Sequence, residues 1–156
     1  KTSNGYSVNG DTLINVERVQ FSDTNVALDF DGHAGQTAKI LGAVFGADAV
    51  YNKEYAGIGL HYLDSGVSYE ALMDLALNAA LGVNANDHAS VVKLLYKNVL
   101  NVDATDSDAA PFVQMLDDGM SIGALGVMAA ETDFNAENIG EVRLQETGLS
   151  YDLFEG

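Results

Sequence analysis

The sequence predicts a mainly α fold with short flanking β segments, built from two related three-helix units. Three observations carry that expectation. The chain repeats itself: residues 63–77 read LDSGVSYEALMDLAL and residues 116–130 read LDDGMSIGALGVMAA, with seven of fifteen positions identical at an offset of 53. Self-similarity at such a period marks one supersecondary unit used twice. Within each copy the apolar residues recur at helical spacing. At the two ends of the chain they alternate with polar residues instead, as strands do.

Upstream of the shared Leu-Asp the offset becomes 55, which sets Ile40 on Leu95, Val44 on Val99, Phe45 on Leu100 and Asp48 on Asp103. A two-residue change of offset belongs in a loop. The units therefore span 36–80 and 90–133, and each reads as three short helices. In the first, Ala38, Leu41 and Phe45 mark helix one. Tyr55, Ile58, Gly59, Tyr62 and Leu63 form the apolar stripe of helix two. Gly66 suits a left-handed helix stop and Ser68 an N-cap, with Glu70 in the following turn at the positive end of the dipole. Leu72, Leu75, Ala76 and Ala79 then face the core. The second unit repeats the scheme with Val92, Leu95 and Val99, with Phe112, Met115 and Leu116, and with Gly119, Ser121, Leu125, Met128 and Ala129. Pro111, three residues after Asp108, is expected in a first helical turn. The exchanges His61/Gln114 and Glu70/Gly123 read as drift at polar positions, while Leu, Gly, Ser and Ala persist.

Residues 1–32 lack helical periodicity. Val19 and Phe21, then Val26, Leu28 and Phe30, alternate around a turn at Ser22-Asp23-Thr24-Asn25, with an earlier turn at Asn9-Gly10-Asp11. The tail, 139–156, alternates through Ile139, Val142 and Leu144, turns at Thr147-Gly148, and continues through Leu149, Tyr151, Leu153 and Phe154. A β segment at each end of a helical middle is expected to pair with the other.

With 156 residues, 47% of them hydrophobic, the chain is large enough for a core that needs no covalent staples. It has no cysteine, hence neither disulfides nor thiolate chemistry. No apolar run approaches the roughly 20 residues of a membrane span, so insertion is not expected. Lys1 in place of Met is expected of a fragment or a processed product. The 23 acidic and 7 basic residues leave a net charge of −16. That surface repels phosphate backbones and anionic lipid, which argues against nucleic-acid and membrane partners.

Reactive constellations are not evident. His33, His61 and His88 are widely spaced, with no His-x-x-x-His or paired carboxylates nearby in sequence, and are read as structural or exposed. The serines and acids are read as offering no nucleophile motif, and no enzymatic activity is expected. The glycines of GMSIGALG (Gly119–Gly126) lack the Lys-Ser/Thr of a phosphate loop, and fit a helix stop plus close helix packing. Met73, Met115, Met120 and Met128 read as core filling. Two acidic loops fail the EF-hand template: Asp31-Gly32 at positions 5 and 6 leaves Ala27 and Ala38 at 1 and 12, and Asp103 at position 1 leaves Gln114 at 12. Asp23, Asp29 and Asp31 remain the candidates for calcium at the N-terminal edge.

Gly10–Gly32, GDTLINVERVQFSDTNVALDFDG, resembles the segment that closes arrays of repeats-in-toxin (RTX) calcium-binding repeats in secreted bacterial proteins. Asp11, Leu13, Asn15, Val16, Glu17, Arg18, Phe21, Ser22, Asp23, Val26, Ala27, Leu28 and Asp29 carry the match. The helical units are similar to a domain-of-unknown-function family that follows such arrays and also occurs in surface-layer proteins. Leu95, Tyr96, Leu100, Leu116, Gly119 and Ser121 fit its pattern best, whereas Leu41-Gly42 stands where that family has an aromatic. The tail resembles the ending of these exoproteins at Asn138, Ile139, Val142, Leu144, Thr147, Gly148, Leu149 and Tyr151. No G-G-x-G-x-D nonapeptide occurs in the chain. The resemblance implies a non-catalytic module that caps a calcium β-roll, and export by an ABC-transporter type I secretion system. It also implies an uncleaved signal in the tail, with Tyr151, Asp152, Leu153 and Phe154 as its residues, and a secreted or cell-surface location. The surface-layer relatives imply an alternative: a self-assembling or adhesive module that forms homo-oligomers or cell-surface polymers.

Overall fold

The computed structural model describes residues 6–8, 11–14 and 16–154. The turn expected at Asn9-Gly10, the motif residue Asn15 and the last two residues, Glu155 and Gly156, lie outside the described residues. The first unit contains α1 (His33–Phe45), α2 (Lys53–Asp64) and α3 (Tyr69–Leu81). The second contains α4 (His88–Leu100), α5 (Asp106–Asp117) and α6 (Ile122–Ala130). Two short helices, α7 (Asp133–Ile139) and α8 (Glu141–Thr147), follow. The strands are β1 (Tyr6–Val8), β2 (Asp11–Leu13), β3 (Arg18–Gln20), β4 (Asn25–Ala27) and β5 (Leu149–Tyr151). The chain is thus mainly helical with short β segments at both ends, as the sequence predicts.

The repeat is reproduced down to its helix ends. After α2 the Val67 N–H reaches the Tyr62 carbonyl at 3.0 Å and the Gly66 N–H the Leu63 carbonyl at 2.9 Å. After α5 the Met120 N–H reaches Met115 and the Gly119 N–H reaches Leu116, both at 3.0 Å. These paired bonds form the Schellman motif, which needs a left-handed residue, and Gly66 and Gly119 sit at φ 92° and 104°. Ser68 and Ser121 then cap α3 and α6 by accepting from the N–H groups of Ala71 and Ala124 at 3.2 and 3.0 Å. The persistence of Gly and Ser in the two copies follows from this stop-and-start geometry.

The third helices meet through matching positions. A Cβ on Gly123 would lie 2.5 Å from the backbone oxygen of Glu70, and one on Gly126 would lie 2.5 Å from Met73 Cγ. Glu70 and Met73 are the counterparts, 53 residues earlier, of those same glycines. The Glu70/Gly123 exchange is therefore complementary packing rather than drift: where a position faces its own counterpart, one copy must be small. Similarly, the Asn98 amide donates to the carbonyls of its counterpart Ala43 (3.1 Å) and of Val44 (2.7 Å), satisfying the end of α1.

α1 is buried on nearly every side. Ile40, Ala43 and Val44 join a core with α3, α4, α5 and α6. Ala34, Ala38 and Leu41 join a second core with β4, β5, α7 and α8. A helix apolar all round belongs inside, and its small residues let neighbours close in. Gly35 lies under the Phe30 carbonyl, and Gly42 lies against Ile139 and the buried Asn135.

The ends pair as expected. β4 runs antiparallel to both β3 and β5, with Asn25 opposite Tyr151, Val26 opposite Ser150 and Ala27 opposite Leu149. β1 and β2 form a separate hairpin. The Tyr6 hydroxyl lies 2.7 Å from the Gln145 carbonyl and 3.1 Å from that of Leu28, tying this hairpin to both ends of the domain.

Two helix assignments are corrected. Residues 139–147 are helical rather than strand. Val142 is 75% exposed and Leu144 is buried, although a strand would put both on one face. Thr132 caps α7, Gly140 ends it at φ 64°, and the run Glu-Val-Arg-Leu-Gln-Glu is rich in helix formers. Pro111 is not in the first turn. Thr105 caps α5 in a reciprocal box with Asp108, which places Pro111 at the sixth helical residue. Its missing N–H deprives only the Ser107 carbonyl, and Ser107 and Pro111 are both exposed.

Beyond β5 the Asp152 N–H bonds the Lys53 carbonyl at 2.9 Å, and the Asp152 carbonyl sits directly over Gly57. A Gly→Ala change inside a helix ordinarily gains about 0.5–1 kcal/mol. Gly57→Ala is expected to lose about 1–3 kcal/mol instead, since the new methyl meets a backbone oxygen. Urea denaturation would show this, and a stabilised variant would contradict the packing described.

Candidate functional site

The duplicated helices enclose two apolar clefts at corresponding places. The first, about 410 Å³, lies between α1, α2 and α3; the second, about 350 Å³, is walled chiefly by α4, α5 and α6. Ile40, Leu41, Phe45, Leu72, Leu75 and Ala76 of the first correspond to Leu95, Tyr96, Leu100, Leu125, Met128 and Ala129 of the second. Gly59 corresponds to Phe112, which lines the second cleft with a larger side chain. Tyr55, Ile58 and Tyr62 are not the main buried face of α2, as the stripe predicts; Ala56, Gly59, Leu60 and Leu63 are. The two tyrosines and Ile58 instead wall the open cleft, and the Phe45 and Tyr55 rings stack obliquely at 5.2 Å.

One lining position differs in chemistry. Thr37 is buried in the first cleft, and its hydroxyl has no hydrogen-bond partner. Its counterpart in the second is the isosteric Val92. The walls offer van der Waals contact and a few hydroxyls, those of Thr37, Tyr55 and Tyr62 in the first cleft and of Tyr96 and Thr132 in the second.

The repeat also explains two histidine–carboxylate pairs that sequence reasoning missed. His33 opens α1 and His88 opens α4, 55 residues apart, the offset that already aligns the first helices. The His33 Nδ1 lies 2.6 Å from Asp64, and the His88 Nδ1 lies 2.7 Å from Asp117. These carboxylates are the Asp of the repeated Leu-Asp, the last residues of α2 and α5. A carboxylate at a helix C-terminus opposes the dipole, and the histidine gives each one a donor. In the first unit Arg18 adds bonds of 2.8 and 3.1 Å to Asp64 and a further ion pair to Asp29. His61 is exposed, with its ring edge against Phe154 at 5.2 Å.

The calcium candidates do not converge. Asp29 pairs with Arg18 and accepts the His33 N–H at 2.9 Å, so its carboxylate serves as an anchor for β3 and for the start of α1. Asp23 and Asp31 are exposed. Among the described residues no three His, Cys, Asp or Glu side chains gather as metal ligands would. The expectation that no nucleophile motif occurs is corrected by the sequence itself: Gly119-Met120-Ser121-Ile122-Gly123 has the G-x-S-x-G spacing of a nucleophile elbow. It follows a helix rather than a strand. The Ser121 hydroxyl donates to Glu70 and accepts from the Ala124 N–H, as a cap does.

Of the expected signal residues, Tyr151 lies in β5, partly buried against the second core, and burial holds its phenol above the usual tyrosine value. Asp152 is fastened to the start of α2, Leu153 is 63% exposed, and Phe154 rests on His61. Among the described residues no helix is long and apolar enough to cross a membrane. Comparison with protein-family models, curated proteins and solved structures found no match to this chain.

Thr37→Val removes a buried hydroxyl without changing shape and copies the second unit. It is expected to stabilise the domain by about 1 kcal/mol, because an unsatisfied buried polar group is costly. Thermal or urea unfolding checks this; a loss of stability would mean that the hydroxyl is satisfied in solution.

Proposed function

We propose that the chain is the non-catalytic C-terminal module of a secreted, RTX-like exoprotein, one that caps a calcium β-roll upstream and carries the type I export signal in its tail. The observation that supports this most is the pairing of β4 with β5, which joins the two segments that carry the most specific resemblance. The motif residues have structural work in that junction. Arg18 holds Asp29 and Asp64, the Leu28 N–H reaches the Glu17 carbonyl at 2.8 Å, and the Phe21 N–H reaches Thr24 at 2.8 Å across the turn. Ala27 is fully buried opposite Leu149. A closing element and a tail built as one body suit a cap.

The test is export of a passenger fused ahead of this chain in cells carrying an ABC-type exporter. Deleting 139–156 is expected to abolish export. The double change Leu153→Asp and Phe154→Asp, at exposed positions, is expected to reduce it severely while the purified module keeps its helical circular dichroism. Undiminished export of both forms would refute the reading.

The two clefts favour a second reading, a self-assembling or adhesive surface module. With a net charge of −16 per copy, repulsion opposes assembly unless it is screened. That reading expects oligomers in sedimentation velocity on adding salt or calcium. A monomer under all these conditions would end it.

A further inference from the structure

The tail is held by its backbone while its side chains stand clear. From Leu149 to Tyr151 it pairs with β4, and the Asp152 N–H then bonds the Lys53 carbonyl at 2.9 Å. The Asp152 carbonyl lies directly over Gly57, and the Phe154 ring rests on His61 at 5.2 Å. Asp152, Leu153 and Phe154 are nevertheless exposed. The repeat shows that this seat is specialised. On α5 the counterparts of Gly57 and His61 are Ala110 and Gln114, and both are exposed. A methyl at 57 would strike the tail, whereas the methyl at 110 stands open to solvent.

The tail also belongs to one core and not the other. Leu149 and Tyr151 pack in the core beneath the sheet. The buried residues of the core shared by the two units all come from α1 to α6. Lifting the tail therefore breaks contacts in the first of these cores and leaves the second filled. Proteins open in such cooperative pieces at less cost than global unfolding.

We propose that residues 149–154 form a releasable strap: they lift from β4 and α2 while the two helical units stay folded, and this opening hands the tail's backbone to the exporter. The strap's purpose rests on the export reading; its opening does not. The exposed side chains offer a receptor its first hold. Drawing the chain out in extended form requires the backbone bonds to β4 and Lys53 to break.

The test compares the whole chain with Gly57→Ala, which unseats the tail, and with Ala110→Gly, which weakens α5 at an exposed site. Hydrogen exchange read by mass spectrometry is expected to speed up about tenfold or more across 149–154 in Gly57→Ala, with α3 to α6 unchanged. Ala110→Gly is expected to leave 149–154 as protected as before. Export of a fused passenger is expected to rise with Gly57→Ala and to stay level with Ala110→Gly. Exchange in the tail that is unmoved by Gly57→Ala, or that accelerates only together with α3 to α6, would overturn the strap. So would loss of export from Gly57→Ala with its tail freed, since the seat itself would then be what the exporter reads. A wild-type passenger that stays inside the cells counts against the export reading instead, and the exchange result still decides the strap.

Discussion

The burial of α1 on nearly every side is the constraint on which the other elements depend. One face supplies Ile40, Ala43 and Val44 to the core shared by the two units, and another supplies Ala34, Ala38 and Leu41 to the core beneath the sheet. Both cores require neighbours to approach the α1 backbone closely, and the glycines at 35 and 42 permit it. Dense packing of this kind tolerates little change in volume. It also holds each peripheral element in one place: α7 through Ile139 against Gly42, and the start of α1 through Phe30 over Gly35.

Polar side chains finish what packing begins. Asn98 closes the carbonyl end of α1, and Asn138 does the same for α4, donating to the Val99 carbonyl at 2.6 Å. Tyr69 spans from α3 to Glu131 at the end of α6, and burial, with that carboxylate, holds its phenol far above the usual tyrosine range. The contacts between residues 25–27 and 149–151 lie at opposite ends of the chain. Loop-closure entropy makes them the most expensive to form early. The helical middle, rich in local contacts, is accordingly the part expected to assemble first.

Much of this organisation is legible in the sequence because it rests on short-range rules. The Leu-Asp-x-Gly-x-Ser repeat announces a helix stop and a cap, and both occur at the positions read. Alternation around residues 19–30 announces strands, and their partner at the other end of the chain was found by the same rule. Short apolar patterns mislead: Val142 and Leu144 stand at strand spacing, yet the helix formers around them and the Gly140 stop make two short helices. The His–Asp pairs escaped because their members lie 29 and 31 residues apart. They become visible only when the offset of 55 is extended to His33. The clefts were hidden for a different reason. Tyr55 and Tyr62 satisfy a helical stripe whether they face a filled core or an open groove, and periodicity does not separate the two.

The face-to-face meeting of α3 and α6 has a consequence for the repeat as a building block. Glu70 and Met73 need glycine opposite them, and only the second unit provides it at 123 and 126. Two copies of the first unit would set glutamate against glutamate and methionine against methionine, and two copies of the second would leave the seam empty. The duplication has become a lock-and-key couple: each half is the other's specific complement across this seam.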